Sequence, residues 1–133
     1  MIPPSEQPST LVMLRATGGM RLLPRKVRAR IYDSLYAALA SHPRFHARRA
    51  DFSTLSGEEE GIFGWLSVNH LLHQAGLIDK ANLGSVGALD LGGASTQITL
   101  PLAGSGGGAA ATSVSLPARE APVSVYSLSL IHI

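Results

Sequence analysis

The chain has 133 residues, 45% of them hydrophobic and 15% charged, a balance that excludes a disordered polyampholyte and allows a modest core. It has no cysteine, which excludes disulfides and thiolate metal sites within it and leaves the redox compartment open. The net charge of +2 is unevenly spread: residues 1–50 hold nine of the eleven Lys and Arg against two acids, while residues 51–133 hold two basic groups against seven acids.

No stretch is long and apolar enough to cross a bilayer. Ile2-Pro3-Pro4-Ser5 after Met1 has neither the basic start nor the apolar run of a signal peptide, so any leader or anchor of the intact protein is expected elsewhere. Residues 11–14 form an apolar run that ends at Arg15-Ala16-Thr17-Gly18-Gly19, the pattern of a buried strand delivering a turn at its C-terminal end. Over residues 24–40, Val27, Ile31, Leu35 and Leu39 recur every four positions. This spacing predicts an amphipathic helix with Pro24 near its first turn and most of its basic residues on the solvated side. The cluster Arg21, Arg25, Lys26, Arg28 and Arg30 raises a nucleic-acid interface, but no aromatic interleaves with it for base stacking, which argues against that partner.

The helix is expected to stop at Ser41-His42-Pro43, because a residue before proline avoids the α region. Residues 51–55 read as a second short strand broken by Ser56-Gly57. A second helix is expected to begin within residues 58–61 and to run to Gln74, with Gly76 as its C′ residue. Trp65 and Asn69 sit at helical spacing as packing residues rather than ligands. His70 and His73, and His42 and His46, have spacings that suit zinc, but no third ligand is evident and Pro43 interrupts the second pair. Two apolar runs, residues 86–89 and 98–100, flank Asp90-Leu91-Gly92-Gly93-Ala94-Ser95-Thr96-Gln97 and predict a β-hairpin with the glycines at its tip. Residues 101–115 are rich in Gly, Ala and Ser and read as a flexible linker. Leu128-Ser129-Leu130-Ile131-His132-Ile133 resembles the translation of a sequencing-library adapter; the alternative is an ordinary apolar strand, and no function is assigned to it.

The hairpin segment carries the most chemistry. An oxyanion reaches successive backbone N–H groups only where side chains leave room, and Gly92, Gly93 and Ala94 are three of the smallest residues. Asp90 before the tip can hold a hydrated divalent cation, and Ser95 and Gln97, on one face of a strand, can orient a water. The plain alternatives are a simple Gly-Gly turn, an acid capping it, and polar decoration of an exposed strand. For Glu58-Glu59-Glu60 the plain alternative is a solvated helix N-terminus favoured by the helix dipole.

Three segments then act together: LRATGGMRLL at residues 14–23, SGEEEGIFGWLSVNHLL at 56–72 and ALDLGGASTQITL at 88–100. In order and type they resemble conserved regions of the nucleoside triphosphate diphosphohydrolases, the apyrase or GDA1/CD39 family. The resemblance covers residues 11–100, and since family members are several times longer, it implies a fragment of an α/β, two-lobed ribonuclease H-like fold of the actin and hsp70 type. On that mapping residues 11–55 belong to the first lobe and residues 56–101 begin the second. Residues 102–133 are expected to be a flexible low-complexity tail.

The resemblance also implies a chemistry: water attacks the terminal phosphorus of a nucleoside tri- or diphosphate without a covalent enzyme intermediate. Glu60 aligns with the general base, its pKa expected to rise if Glu58 and Glu59 lie close to it. Ser95 and Gln97 align with residues that hold the attacking water. Thr17 and Gly18 align with a pair contacting the terminal phosphate, and Gly92, Gly93, Ala94, Ser95, Thr96 and Gln97 with the phosphate-binding hairpin. Asp90 aligns with the carboxylate that holds Ca²⁺ or Mg²⁺, through coordinated water. Two departures stand out: Arg15 replaces a usual Gly or Lys, and Gly18 replaces Ala. The implied partners are nucleotides, not nucleic acid, and the implied location is the outer face of a membrane, the secretory-pathway lumen or the medium. The fragment alone is expected to be inactive. Alternatives are a catalytically dead or nucleotide-binding remnant, or a lobe of a related exopolyphosphatase or sugar kinase.

Overall fold

The computed structural model describes residues 2–41, 44–103 and 111–131. The chain splits into two compact units, Met1–Leu55 and Ser56–Ile133. His42 and Pro43, and with them the expected stop at Pro43 and the His42/His46 pair, lie outside the described residues.

The first unit follows a single 3-10 turn, Gln7–Ser9, with β1 (Leu11–Ala16), α1 (Gly18–Arg21), α2 (Arg25–Ala40) and β2 (His46–Thr54). β1 and β2 pair in parallel, and α2 provides the long crossover that parallel pairing requires. The register runs Leu11↔His46, Val12↔Ala47 and then Leu14↔Phe52, so β2 carries a bulge where five of its steps match two of β1. Inside that bulge Arg48 grips Asp51 in two places, Nε to Oδ2 at 2.7 Å and one terminal nitrogen to Oδ1 at 2.9 Å. Asp51 is buried, and this fork provides its compensating donors.

The face that α2 turns to β2 differs from the expected one. Val27 and Leu35 are each 40% exposed, whereas Tyr32 is buried and Tyr36 meets Phe52 edge-on with ring centroids 6.1 Å apart. The tyrosine row wins because its rings bury more area than the aliphatic row and its polar tip has a partner, the Thr54 hydroxyl bonding that of Tyr32.

The second unit contains α3 (Gly57–Gln74), β3 (Ala88–Leu91), β4 (Ser95–Pro101), β5 (Ala111–Val114) and β6 (Val123–Ile131). Its strands form one antiparallel sheet in the order β3-β4-β6-β5, with α3 packed on one face. α3 starts with a capping box: the Glu59 N–H donates to Ser56 Oγ at 3.0 Å and the Ser56 N–H donates to the Glu59 carboxylate at 2.8 Å. It ends as the sequence implies, with Gly76 at φ +70° just past the Ala75 C-cap. Trp65, Leu83, Leu116, Val123 and Val125 form the core. Asn69, fully buried, ties α3 to the chain ahead of β3: its amide donates to the Trp65 and Val86 carbonyls, and its oxygen accepts from the Gly84 and Val86 N–H groups.

The expectation of a flexible tail over residues 102–133 does not match this arrangement. Residues 111–114 and 123–131 are strands, β6 lies between β4 and β5, and Leu116, Val123 and Val125 are core. Strand alternation of Val123 and Val125 with Ser124 and Tyr126 explains the burial, and residues 128–131 continue that strand. The glycine-rich residues 104–110 lie outside the described residues.

Candidate functional site

Along the sheet-facing row of α3, Gly57, Gly61, Trp65 and Asn69 follow one another every four residues, so the helix is slim at its start and bulky beyond. At Gly61 a Cβ would lie 2.3 Å from Ser127 Oγ, 2.6 Å from Thr99 Oγ1 and 3.3 Å from Gln97 Cβ. Only a residue without a side chain lets the first turn sit this close to β4 and β6. The approach brings the Glu60 carboxylate to β4, and there the side chains on the helix side are polar: Ser95, Gln97 and Thr99 are all buried.

Gln97 joins them. The two N–H groups of its Nε2 are shared among three acceptors, Glu60 Oε2 at 3.1 Å, Ser95 Oγ at 2.9 Å and Ser129 Oγ at 2.9 Å. A carboxylate only accepts, so the amide nitrogen must face Glu60. The other end of the amide, Gln97 Oε1, is buried with no hydrogen-bond partner in the described structure. An unmet buried acceptor costs about 1–3 kcal/mol. Thr99 and Ser127 bond each other at 2.8 Å and continue the polar row.

Asp90 pairs with Gln97 across β3 and β4, so both lie on the same face of the sheet. Its side chain is exposed and accepts no hydrogen bond among the described residues, so it does not cap the turn. The hairpin closes at Leu91↔Thr96, with the Gly92 N–H donating to the Ser95 carbonyl at 2.9 Å. Neither Gly92 nor Gly93 has positive φ, and a Cβ at Gly93 would meet nothing within 4 Å. Neither backbone conformation nor packing within the chain calls for glycine at 93; its small size leaves the backbone of the tip uncovered.

The structure therefore brings together Glu60, Asp90, Ser95 and Gln97, with Gly92, Gly93, Ala94 and Thr96 at the adjoining tip. Thr17 and Gly18 belong to the other unit: Thr17 is the N-cap of α1 with no side-chain cap bond, and Gly18 is buried. Glu59 points back to the Ser56 N–H, so of the three consecutive acids it serves the helix end. His73 Nδ1 contacts the Ile78 carbonyl at 3.2 Å, a local link past the helix end. Among the described residues no three His, Cys, Asp or Glu side chains gather into a metal-holding group. The capping pair Ser56/Glu59 was readable as S-x-x-E; the Thr99–Ser127 pair had no local signal, because Ser127 lies 28 residues away.

The chain is 40% identical over 108 residues to the ectonucleoside triphosphate diphosphohydrolase 8 of Rattus norvegicus, a match covering 74% of the chain and 21% of that protein. It is 36% identical over 102 residues to the nucleoside-triphosphatase ntp-1 of Caenorhabditis elegans, covering 77% of the chain and 18% of that protein. Over another 102 residues it is 36% identical to the Golgi apyrase of Saccharomyces cerevisiae, covering 74% and 16%. The chain thus spans about a fifth of the length of the relatives it matches. The profile of the GDA1/CD39 (nucleoside phosphatase) family matches residues 1–119, and the chain belongs to that family.

Proposed function

We propose that the chain carries the water-activating half of a nucleoside phosphatase centre that removes terminal phosphates from nucleoside tri- and diphosphates. The observation that supports this reading best is the Glu60–Gln97–Ser95 cluster with its unpartnered Gln97 Oε1. A water donating one proton toward the Glu60 carboxylate and the other toward Gln97 Oε1 keeps a lone pair free for phosphorus. As the new oxygen–phosphorus bond forms, Glu60 takes the water's proton and the bond from phosphorus to the bridging oxygen breaks, its electron pair leaving with the nucleotide. Ser95 holds the Gln97 amide in position. The uncovered backbone of Gly92, Gly93 and Ala94 receives phosphate oxygens, and Thr17 and Gly18 contact the terminal phosphate in the assembled enzyme.

The donor set fits a hydrated hard cation: Asp90 is an exposed carboxylate beside Gln97, and no group of three or more His, Cys, Asp or Glu side chains that could hold the ion directly is found among the described residues. Ca²⁺ or Mg²⁺, held by Asp90 through water, would supply neutralisation of phosphate charge. The two-lobed ribonuclease H-like architecture is proposed for the complete enzyme, with residues 11–55 in the first lobe and 56–101 in the second. The names of the relatives, ecto-enzymes and a Golgi apyrase, support an extracellular or secretory-pathway location.

By itself the 133-residue chain is proposed to be inactive, because it spans about a fifth of its relatives. The test is a chimera in which this chain replaces the matching segment of the rat enzyme. Metal-dependent phosphate release from ATP and ADP is expected, falling about 10²–10⁴-fold with Glu60→Gln, the usual range for loss of a general base. Unchanged turnover in that variant would remove Glu60 from the role.

A further inference from the structure

The basic half of the chain holds a cavity, in the first unit. Between the start of α2 and the end of β2 lies a cavity of about 400 Å³ whose wall includes Arg25, Arg28, Tyr32, Arg49, Ser53 and Thr54. Its three guanidinium groups are not equivalent. Arg49 is engaged within the fold: it donates to Asp33 Oδ1 at 2.5 Å and to the Phe52 and Ala29 carbonyls at 3.1 and 3.3 Å, and it lies 5.6 Å from the centre of the Tyr32 ring. The side chains of Arg25 and Arg28 make no hydrogen bond or ion pair among the described residues.

The hydroxyls on the wall are also in surplus as donors. Tyr32 and Thr54 bond each other, which uses one of their two O–H protons; the other has no acceptor within the described chain, although Tyr32 is only 5% exposed. Ser53 Oγ accepts from Arg15 at 2.5 Å, and its own proton is likewise unclaimed. Asp33, the carboxylate at this edge, is held by Arg49. The cavity therefore presents two unpaired cations and two spare hydroxyl protons, and the start of a sixteen-residue helix adds its positive end. An acceptor-rich anion complements such a wall.

We infer that this cavity binds a multivalent oxyanion of the phosphate class, at a site separate from the Glu60 cluster. Size favours a small anion over a polynucleotide. The rings on the wall offer no stacking face either: Tyr32 is covered by Arg49 and Phe52 is buried.

The experiment is a titration of the 133-residue chain with inorganic pyrophosphate in metal-free buffer, followed through the backbone amide signals of Ser53 and Thr54. The site predicts saturable shifts at these amides, and an affinity at least about tenfold weaker when Arg25→Gln and Arg28→Gln are combined. Lys26→Gln with Arg30→Gln removes the same charge from exposed positions of the same helix and is expected to change the affinity less than about threefold. Equal losses in the two double variants, shifts confined to the hairpin at residues 92–94, or tighter binding of a single-stranded oligonucleotide at the same amides would overturn the inference. Glu60→Gln is expected to leave pyrophosphate binding unchanged, so this site and the hydrolytic centre stand or fall separately.

Discussion

Gln97 is one side chain with three acceptors at its nitrogen and none of its needs met at its oxygen. The unmet oxygen is the acceptor that the proposed water would satisfy. The shared face of Ser95 and Gln97 was legible from strand alternation, and the Asp90↔Gln97 register adds Asp90 to that face. The approach of Glu60, 37 residues away from Gln97, could not be read locally, because it depends on Gly61 admitting β4 and β6 to the helix. Asp51 shows a different logic. The hydrogen bonds from Arg48, aided by its charge and that of Arg15, hold the Asp51 carboxyl below the usual range against the opposing effect of burial. A folded-state pKa below the unfolded one means stability that is present above the ordinary carboxylate range and lost as pH falls through the lowered value. Urea midpoints of the first unit are therefore expected to hold from neutral pH down to about 4 and to fall below it. Asp51→Asn should flatten that acid limb, and an unchanged limb in the variant would count against the assignment.

At the scale of elements, α3 was the most readable. Its end at Gly76 follows from the left-handed conformation that glycine tolerates; its first residue, Gly57, lies one position before the expected start within residues 58–61, because the reciprocal bonds of Ser56 and Glu59 fix the cap at Ser56. Ser56→Ala should cost about 1 kcal/mol of stability in urea unfolding. Gly61→Ala inserts a methyl where Ser127, Thr99 and Gln97 already stand, and should cost about 1–3 kcal/mol. It should also loosen the Glu60–Gln97 contact, whereas Gly64→Ala, with nothing within 4 Å of its Cβ, should gain slightly from helix propensity. A Gly61→Ala chain as stable as its parent would contradict the close packing described. α2 was readable as a helix but not as to its buried face, since periodicity alone ranks Val27 and Leu35 above tyrosines whose value depends on a partner hydroxyl from β2. β5 and the first part of β6 were missed because a Gly- and Ser-rich lead-in obscured a short period-two pattern that is stabilised by strand pairing, not by its own composition, whereas an apolar strand was the stated alternative for residues 128–131.

For the whole molecule, each unit carries apolar surface that its own elements do not cover. Leu89 and Leu91 of β3 are 72% and 78% exposed and Leu100 of β4 is 48% exposed, while the polar residues of β4 face α3. This inversion places apolar side chains outward and hydroxyls and amides under the helix. Family membership was legible in three short segments, whereas the partition into Met1–Leu55 and Ser56–Ile133 rests on contacts. The 133-residue chain is expected to release no phosphate from ATP by itself; turnover above the rate in buffer would show that the remaining length of its relatives is not needed.

The central claim is that Glu60 and Gln97 act as one unit on one water. In the chimera with the rat enzyme, phosphate release is measured for Glu60→Gln, Gln97→Ala and the two combined. A double variant no slower than the worse single variant is predicted, as for residues that serve the same step. Losses that multiply, each change slowing the reaction independently of the other, would contradict it.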